Sequence, residues 1–255
     1  MAYYNPRLIG GSLDAGALPR TGLAVFLAVL LGLGCVGLAL GYALFGGDVV
    51  EQIRRATVWI RVDGENEGTG VIITEDGYIL TAAHVVKDGK ANLIEVVLNS
   101  GLKSAETLHA QCTEHVGATG RPLPAEMGKD YALLKVEARK PLPYLPVIGS
   151  DAVQEGMSCF VAGFPFGEQM QTSIYGPNIR IDPGHITAIM RGGEEGPQAF
   201  NVDVAIREGM SGGPCTDDRG QVIGIAEMYS EQAAANLVLP TSRFKHVWEP
   251  LVRSQ

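Results

Sequence analysis

Three short stretches carry side chains that together could move a proton and attack a carbonyl carbon. "REGMSGGPC" (207–215) sets Ser211 among three glycines. Glycine at that density marks backbone that turns tightly or lets another group come close. Two readings fit: a surface turn, or a nucleophilic serine with the amides of Gly209 and Ser211, and that of Met210 close by, holding a developing oxyanion. "TAAHVV" (81–86) places His84 at the end of an apolar strand. Alone, a histidine there is more often a core residue. "KDYALLKV" (129–136) places Asp130 before an alternating strand, where a single carboxylate is more often a turn residue.

The three gain meaning jointly. A serine hydroxyl is a poor nucleophile until a base takes its proton. Imidazole suits that task because it titrates near neutrality. A carboxylate then fixes the tautomer and stabilises the positive ring. The order His84, Asp130, Ser211 is that of the chymotrypsin arrangement. "GMSGG" also satisfies G-x-S-x-G, the nucleophile turn of α/β-hydrolases. There the acid and histidine follow the serine and a helix begins directly after it, and "GGPCTDDRG" starts a helix poorly.

The elements that must position these residues read as short strands. "TVWIRV" (57–62), "GVIIT" (70–74), "YILTAAHVV" (78–86), "LIEVVLN" (93–99) and "YALLKVE" (131–137) precede a proline-rich stretch. "SCFVAGF" (158–164), "HITAIM" (185–190), "AFNVDVAI" (199–206), "QVIGIAEMY" (221–229) and "ANLVLP" (235–240) follow it. Many short strands separated by glycine- and proline-containing turns predict antiparallel barrels or sandwiches. The expected organisation is a polar tail (1–21), an anchor (22–46), a linker (47–56), a first half with His84 and Asp130 (57–140), a connector (141–148), a second half with Ser211 (149–245) and a tail (246–255). "TSRFKHVWEPLVRS" reads as a helix capped by Thr241 or Ser242 and broken near Pro250.

Leu23–Phe45 is uncharged and apolar. As a helix it would reach roughly 34 Å, against a hydrocarbon core of about 30 Å, and it exceeds a cleaved signal's apolar core. An uncleaved single-pass membrane helix is therefore expected. Arginines lie on both sides, so charge gives the orientation no bias. The net charge of −8 argues against nucleic acid as a partner. Outside that span stand Cys112, Cys159 and Cys215, an odd number, so at least one thiol is expected free. A Cys112–Cys159 bridge is the less favoured option. His109 and His115 read as solvated loop residues. No metal site and no cofactor is implied, since the histidines do not pair with cysteines or acids at metal-ligand spacing.

These motifs resemble those of trypsin-like serine proteases of the HtrA type. "GTGVIITEDGYILTAAHVV", "KDYALLKV", "GFPFG" (163–167), "NVDVAIREGMSGGP" and "GQVIGIAEM" carry the likeness, over residues of about 50–245. The resemblance implies an all-β fold of two antiparallel six-stranded barrels, here behind a transmembrane helix. It implies catalysis by His84, Asp130 and Ser211, an oxyanion hole at Gly209, Met210 and Ser211, and polypeptide substrates held near Ala205, Asn236, Leu237 and Val238. It also favours a catalytic domain outside the cytoplasm and a possible homo-oligomer. There are two departures. Met210 stands where relatives usually carry Asn or Asp, and the protein is expected to lack the family's peptide-binding PDZ domain. Ala205 occupies the position where enzymes that cut after Lys or Arg place an acid, which favours an apolar or small residue at the cut site. The competing reading is a latent or silent protease-fold binding module tethered to the membrane.

Overall fold

The computed structural model describes residues 47–64, 66–117, 129–170, 173–191, 196–230 and 235–253. The expected anchor, 22–46, lies outside the described residues. Among those described, no helix is long and apolar enough to cross a membrane.

Twelve strands form two closed barrels. The first contains β1 (Thr57–Val62), β2 (Asn66–Ile72), β3 (Tyr78–Thr81), β4 (Ile94–Leu98), β5 (Glu106–Val116) and β6 (Tyr131–Val136). The second contains β7 (Ser158–Gly163), β8 (Arg180–Arg191), β9 (Pro197–Val202), β10 (Pro214–Thr216), β11 (Val222–Ser230) and β12 (Ala235–Pro240). The spatial order is β1-β2-β3-β6-β5-β4, and the second barrel repeats it as β7-β8-β9-β12-β11-β10. All the paired strands are antiparallel, and closure leaves no free sheet edge.

Burial explains the sequence pattern. Val58, Ile60, Val62, Ile79, Leu134 and Val136 fill the first barrel. Val161, Ile186, Phe200, Val202, Ile223 and Val238 fill the second. A further core joins them: Val71, Leu80, Tyr131 and Leu133 of one barrel meet Ala162, Val222, Ile225 and Leu239 of the other. Strands such as β6 are therefore covered on both faces and read as continuous apolar runs rather than alternating ones.

Two helices cover this seam. Gly47–Ala56, expected to be a linker, is an amphipathic helix, α1, with Ile53 and Ala56 in the inter-barrel core. The C-terminal segment forms a 3-10 turn, Thr241–Phe244, and then α2 (Lys245–Arg253), which buries Val247 and Trp248. It departs from expectation twice. Thr241 does not cap it: its hydroxyl donates to the carbonyls of Ile148 (2.6 Å) and Ile223 (3.2 Å). Pro250 lies inside α2 without ending it. A proline removes only one backbone donor, and packing of the apolar face outweighs that in a short helix.

Two strands were not expected. β10 is three residues long and carries no readable period. β5 contains His109, Cys112 and His115; it is a strand rather than a loop, although both histidines are exposed. Its side chains alternate only between exposed and half-buried, so little apolar signal marks it. Cys112, Cys159 and Cys215 are all free thiols. A hydrogen bond with the neighbouring Cys159 thiol, together with burial, pushes the Cys215 thiol well up.

Candidate active site

The β3–β6 pairing brings His84 and Asp130 together. Thr81 lies opposite Ala132, so the chain leaving β3 and the chain entering β6 share one end of the barrel. His84 is not at the end of a strand. It sits in the first turn of a 3-10 helix, Ala83–Gly89, that starts after β3. Asp130 grips it at two points. The His84 backbone N–H donates to Asp130 Oδ1 (3.0 Å), and His84 Nδ1 contacts Asp130 Oδ2. The Asp130 side chain is 6% exposed and the His84 side chain 42%. Water is thus kept from the carboxylate while the ring stays accessible. With the proton on Nδ1 directed at Asp130, Nε2 is the nitrogen that carries the lone pair.

Ser211 comes from the other barrel, on a loop clamped to the first. The Thr69 amide donates to Ser211 O (2.9 Å). The buried Thr69 hydroxyl donates to Gly209 O (2.7 Å) and accepts the Phe164 amide (3.0 Å). A side chain on Gly212 would meet Thr81 Oγ1 at 2.2 Å and Ala82 N at 2.7 Å. The loop therefore touches the chain two residues before His84. Gly209 has φ +86°, and a Cβ there would lie 2.4 Å from Phe164 O. Only glycine fits that turn without strain.

The amides around the nucleophile divide by occupation. Met210 N–H donates to Arg207 O (3.0 Å), Gly212 N–H to Ala226 O (2.7 Å) and Gly213 N–H to Met210 O (3.0 Å). Among the described residues, no such bond engages the Gly209 and Ser211 amides. These two are the candidate oxyanion donors, whereas the Met210 amide, also expected there, is already used by a turn. The Glu208 carbonyl is held by the Phe166 amide (2.7 Å) and so does not occupy those donors. Phe166 itself adopts φ +59° to make that contact.

The four residues expected along the cleft separate as well. Leu237 and Val238 are 6% and 0% exposed; Val238 lies in the second barrel core, whereas Leu237 packs with Ala199 and Met190 in a separate cluster. β12 is paired on both sides, with β11 and with β9, which closes its backbone too. Asn236 accepts the Ile206 amide on Oδ1 (2.9 Å) and reaches Val202 O through Nδ2 (3.5 Å). It fixes the segment that carries Ala205, which is half-exposed.

One neighbour was missed. Ser211 Oγ donates its hydrogen to the backbone carbonyl of Glu227 (2.7 Å), in β11. The Glu227 carboxyl is pushed up to about 7, first by burial and then by repulsion from Asp130, against an attraction to His84. A lone glutamate in an apolar strand gives no local signal; a run such as "IGIAEM" marks it only as a polar residue where a core position would be expected.

Residues 68–225 match the profile of the trypsin-like peptidase domain. A "Probable periplasmic serine endoprotease DegP-like" of Rhizobium meliloti (strain 1021) is 31% identical over 193 residues, covering 73% of this chain and 33% of that protein. "Serine protease HTRA2, mitochondrial" of Bos taurus is 29% identical over 217 residues, covering 79% and 42%. The chain thus spans about a third to two fifths of the length of these curated relatives. Among solved structures, that of Deg5 superposes with a TM-score of 0.63 at 18% identity, over 82% of this chain and 95% of that one. The chain belongs to the trypsin-like peptidases, and its similarities are with those of the HtrA type.

Proposed function

We propose that this protein is a serine endopeptidase whose nucleophile, base and orienting carboxylate are Ser211, His84 and Asp130. The observation that carries this reading is the two-point hold of buried Asp130 on an accessible His84, at the seam where the other barrel delivers Ser211. In the reaction, Ser211 Oγ turns from the Glu227 carbonyl to His84 Nε2 and gives up its proton as it attacks the scissile carbonyl carbon. The C=O electron pair moves onto oxygen, which the Gly209 and Ser211 amides stabilise. His84 then passes the proton to the leaving amine as the C–N bond breaks. Water, activated by the same imidazole, releases the acyl group and restores Ser211.

The substrates are exposed or extended polypeptide segments, with a small or apolar residue favoured where Ala205 faces the cut site. The named relatives include periplasmic endoproteases, which supports extracytoplasmic protein quality control as the setting. Residues 22–46 hold the domain to a membrane in this reading, and assembly into a homo-oligomer is part of it.

A second reading has one observation in its favour. The Ser211 hydroxyl has a single proton, and it is committed to Glu227 O. That is a resting arrangement, and it fits a protease that is latent until a ligand reorders the site. A fluorophosphonate probe on the full-length protein in detergent separates the two, with Ser211→Ala and His84→Ala as controls. Labelling of the native protein alone supports the endopeptidase. Labelling that appears only with added peptide supports latency. Silence under both conditions in a folded protein leaves a protease-fold binding module.

A further inference from the structure

The region around His84 holds a second carboxyl that the reaction above does not use. Glu227 is 9% exposed, and its Oε2 is buried with no hydrogen-bond partner among the described residues. Burying a carboxyl this way is costly unless something offsets it. Its position follows from a register irregularity. β11 pairs Ala226 with Val238 and Tyr229 with Asn236, so Glu227 lies in a bulge. Bulges turn a side chain out of the ladder's alternation and recur beside active sites. Here the bulged residue offers its carbonyl to the nucleophile and its carboxyl to the field of Asp130 and His84.

We propose that Glu227 is a positioning residue of the catalytic centre: a second carboxyl, beside Asp130, whose charge raises the proton affinity of His84. The inference rests on His84 being the base. The charged groups whose field reaches Glu227 are Asp130, from the segment entering β6, and His84, from the 3-10 helix after β3. Of the strands beside it, β12 carries no titratable side chain and β10 only the core-facing Cys215. Arg207 and Glu208 of the nucleophile loop are exposed.

The physical argument is reciprocity. Two carboxyls that repel each other do not both ionise easily, so the one without partners takes up charge last. Asp130 accepts two bonds from His84, whereas Glu227 Oε2 accepts none. His84 favours an ionised Glu227, and an ionised Glu227 must favour protonated His84 by the same amount. As Glu227 ionises, it therefore keeps the base protonated to higher pH, and it then stabilises the imidazolium that forms during acyl transfer. Activity should rise with pH in two coupled steps rather than one.

The experiment uses the full-length protein in detergent with ring-labelled histidine, the His84 signal being assigned by its loss in His84→Ala. The midpoint of His84 titration is read by NMR beside the pH profile of fluorophosphonate inactivation, in the native protein, Glu227→Gln and Glu227→Asp. The expected result is a fall in both midpoints of about half to one pH unit in Glu227→Gln, with Glu227→Asp retaining much of the native value. Should Glu227→Gln not fold, Glu227→Met removes the buried polar atoms altogether and is read the same way. A His84 midpoint unchanged in a folded Glu227→Gln or Glu227→Met protein overturns the proposal. A shifted midpoint in a protein that the probe never labels upholds this coupling and counts against turnover instead. The converse, labelling without a shift, keeps the protease and removes the role of Glu227.

Discussion

Met210, next to the nucleophile, is fully buried and packs in the second barrel core with Cys159, Cys215 and Val161. Where HtrA-type relatives usually carry Asn or Asp, this chain orders the loop by apolar burial. The loop's polar anchoring falls instead to Thr69, whose hydroxyl serves both Gly209 and Phe164. Replacing Met210 with alanine should cost about 2–5 kcal/mol of stability, as large-to-small changes in cores do. Introducing the relatives' aspartate there should be worse, because no partner for the charge is buried with it. Both are read from urea midpoints. Thr69→Val keeps the volume and removes both hydrogen bonds, leaving a buried amide and carbonyl unmet. It should cost about 1–3 kcal/mol. It should also slow labelling of Ser211, since the clamp that sets the nucleophile is lost.

At the scale of elements, the site is made by strand ends and the turns that follow them. The β3–β6 register sets where His84 and Asp130 meet, and the turn at Gly209 sets where the Ser211 amide points. Gly209→Ala forces a Cβ to within 2.4 Å of a backbone oxygen, in a left-handed conformation. The turn must change, and labelling of Ser211 should fall by about 100-fold or more, the scale of losing an oxyanion donor. The fold itself should survive, with unchanged circular dichroism, because the loop is not part of either barrel's ladder. Helix α1 tests the opposite case. Ile53→Ala removes a fully buried side chain from the seam between barrels. It should lower stability by about 2–5 kcal/mol while leaving the ionisation of the site unchanged.

Across the whole molecule, the buried Glu227 carboxyl ties stability to pH. Its folded-state value of about 7 lies above the 4.5 of a free glutamate. Between those values the native state holds a proton that the unfolded chain has lost. Stability should therefore decline as pH rises from about 4.5 to about 7 and then level off, by on the order of 3 kcal/mol from this group alone. Glu227→Gln should flatten that slope, which urea unfolding at pH 5 and pH 8 would measure. An equal slope in both proteins would mean that Glu227 is not held protonated by the fold. Asp63 and Asp203 act in the other direction, because hydrogen bonds hold both below the usual carboxylate range. Their contribution is lost only at more acidic pH, and both are exposed enough for solvent to screen it.

The sequence alone determined the class of fold, and it singled out His84, Asp130 and Ser211 as the residues proposed for catalysis. Strand period, turn glycines and the order of three reactive residues are local or nearly local features, and they survive in a string of letters. Thr69 was visible only as part of a motif, and its bridge to Gly209 spans 140 residues. Tertiary structure alone decided that the Met210 and Gly212 amides are already engaged, because that depends on where the Arg207 and Ala226 carbonyls lie. It also decided that Val238 enters the second barrel core while its neighbour Leu237 packs against Ala199 and Met190. β5 was illegible for a related reason: its exposed face carries no apolar contrast to betray a strand. Glu227 is the extreme case. One bulge in β11 brings its carboxyl into the field of Asp130 and His84, and neither partner lies within 90 residues of it in the chain. Charges act through space, so the ionisation of this site belongs to the fold rather than to any segment of the sequence.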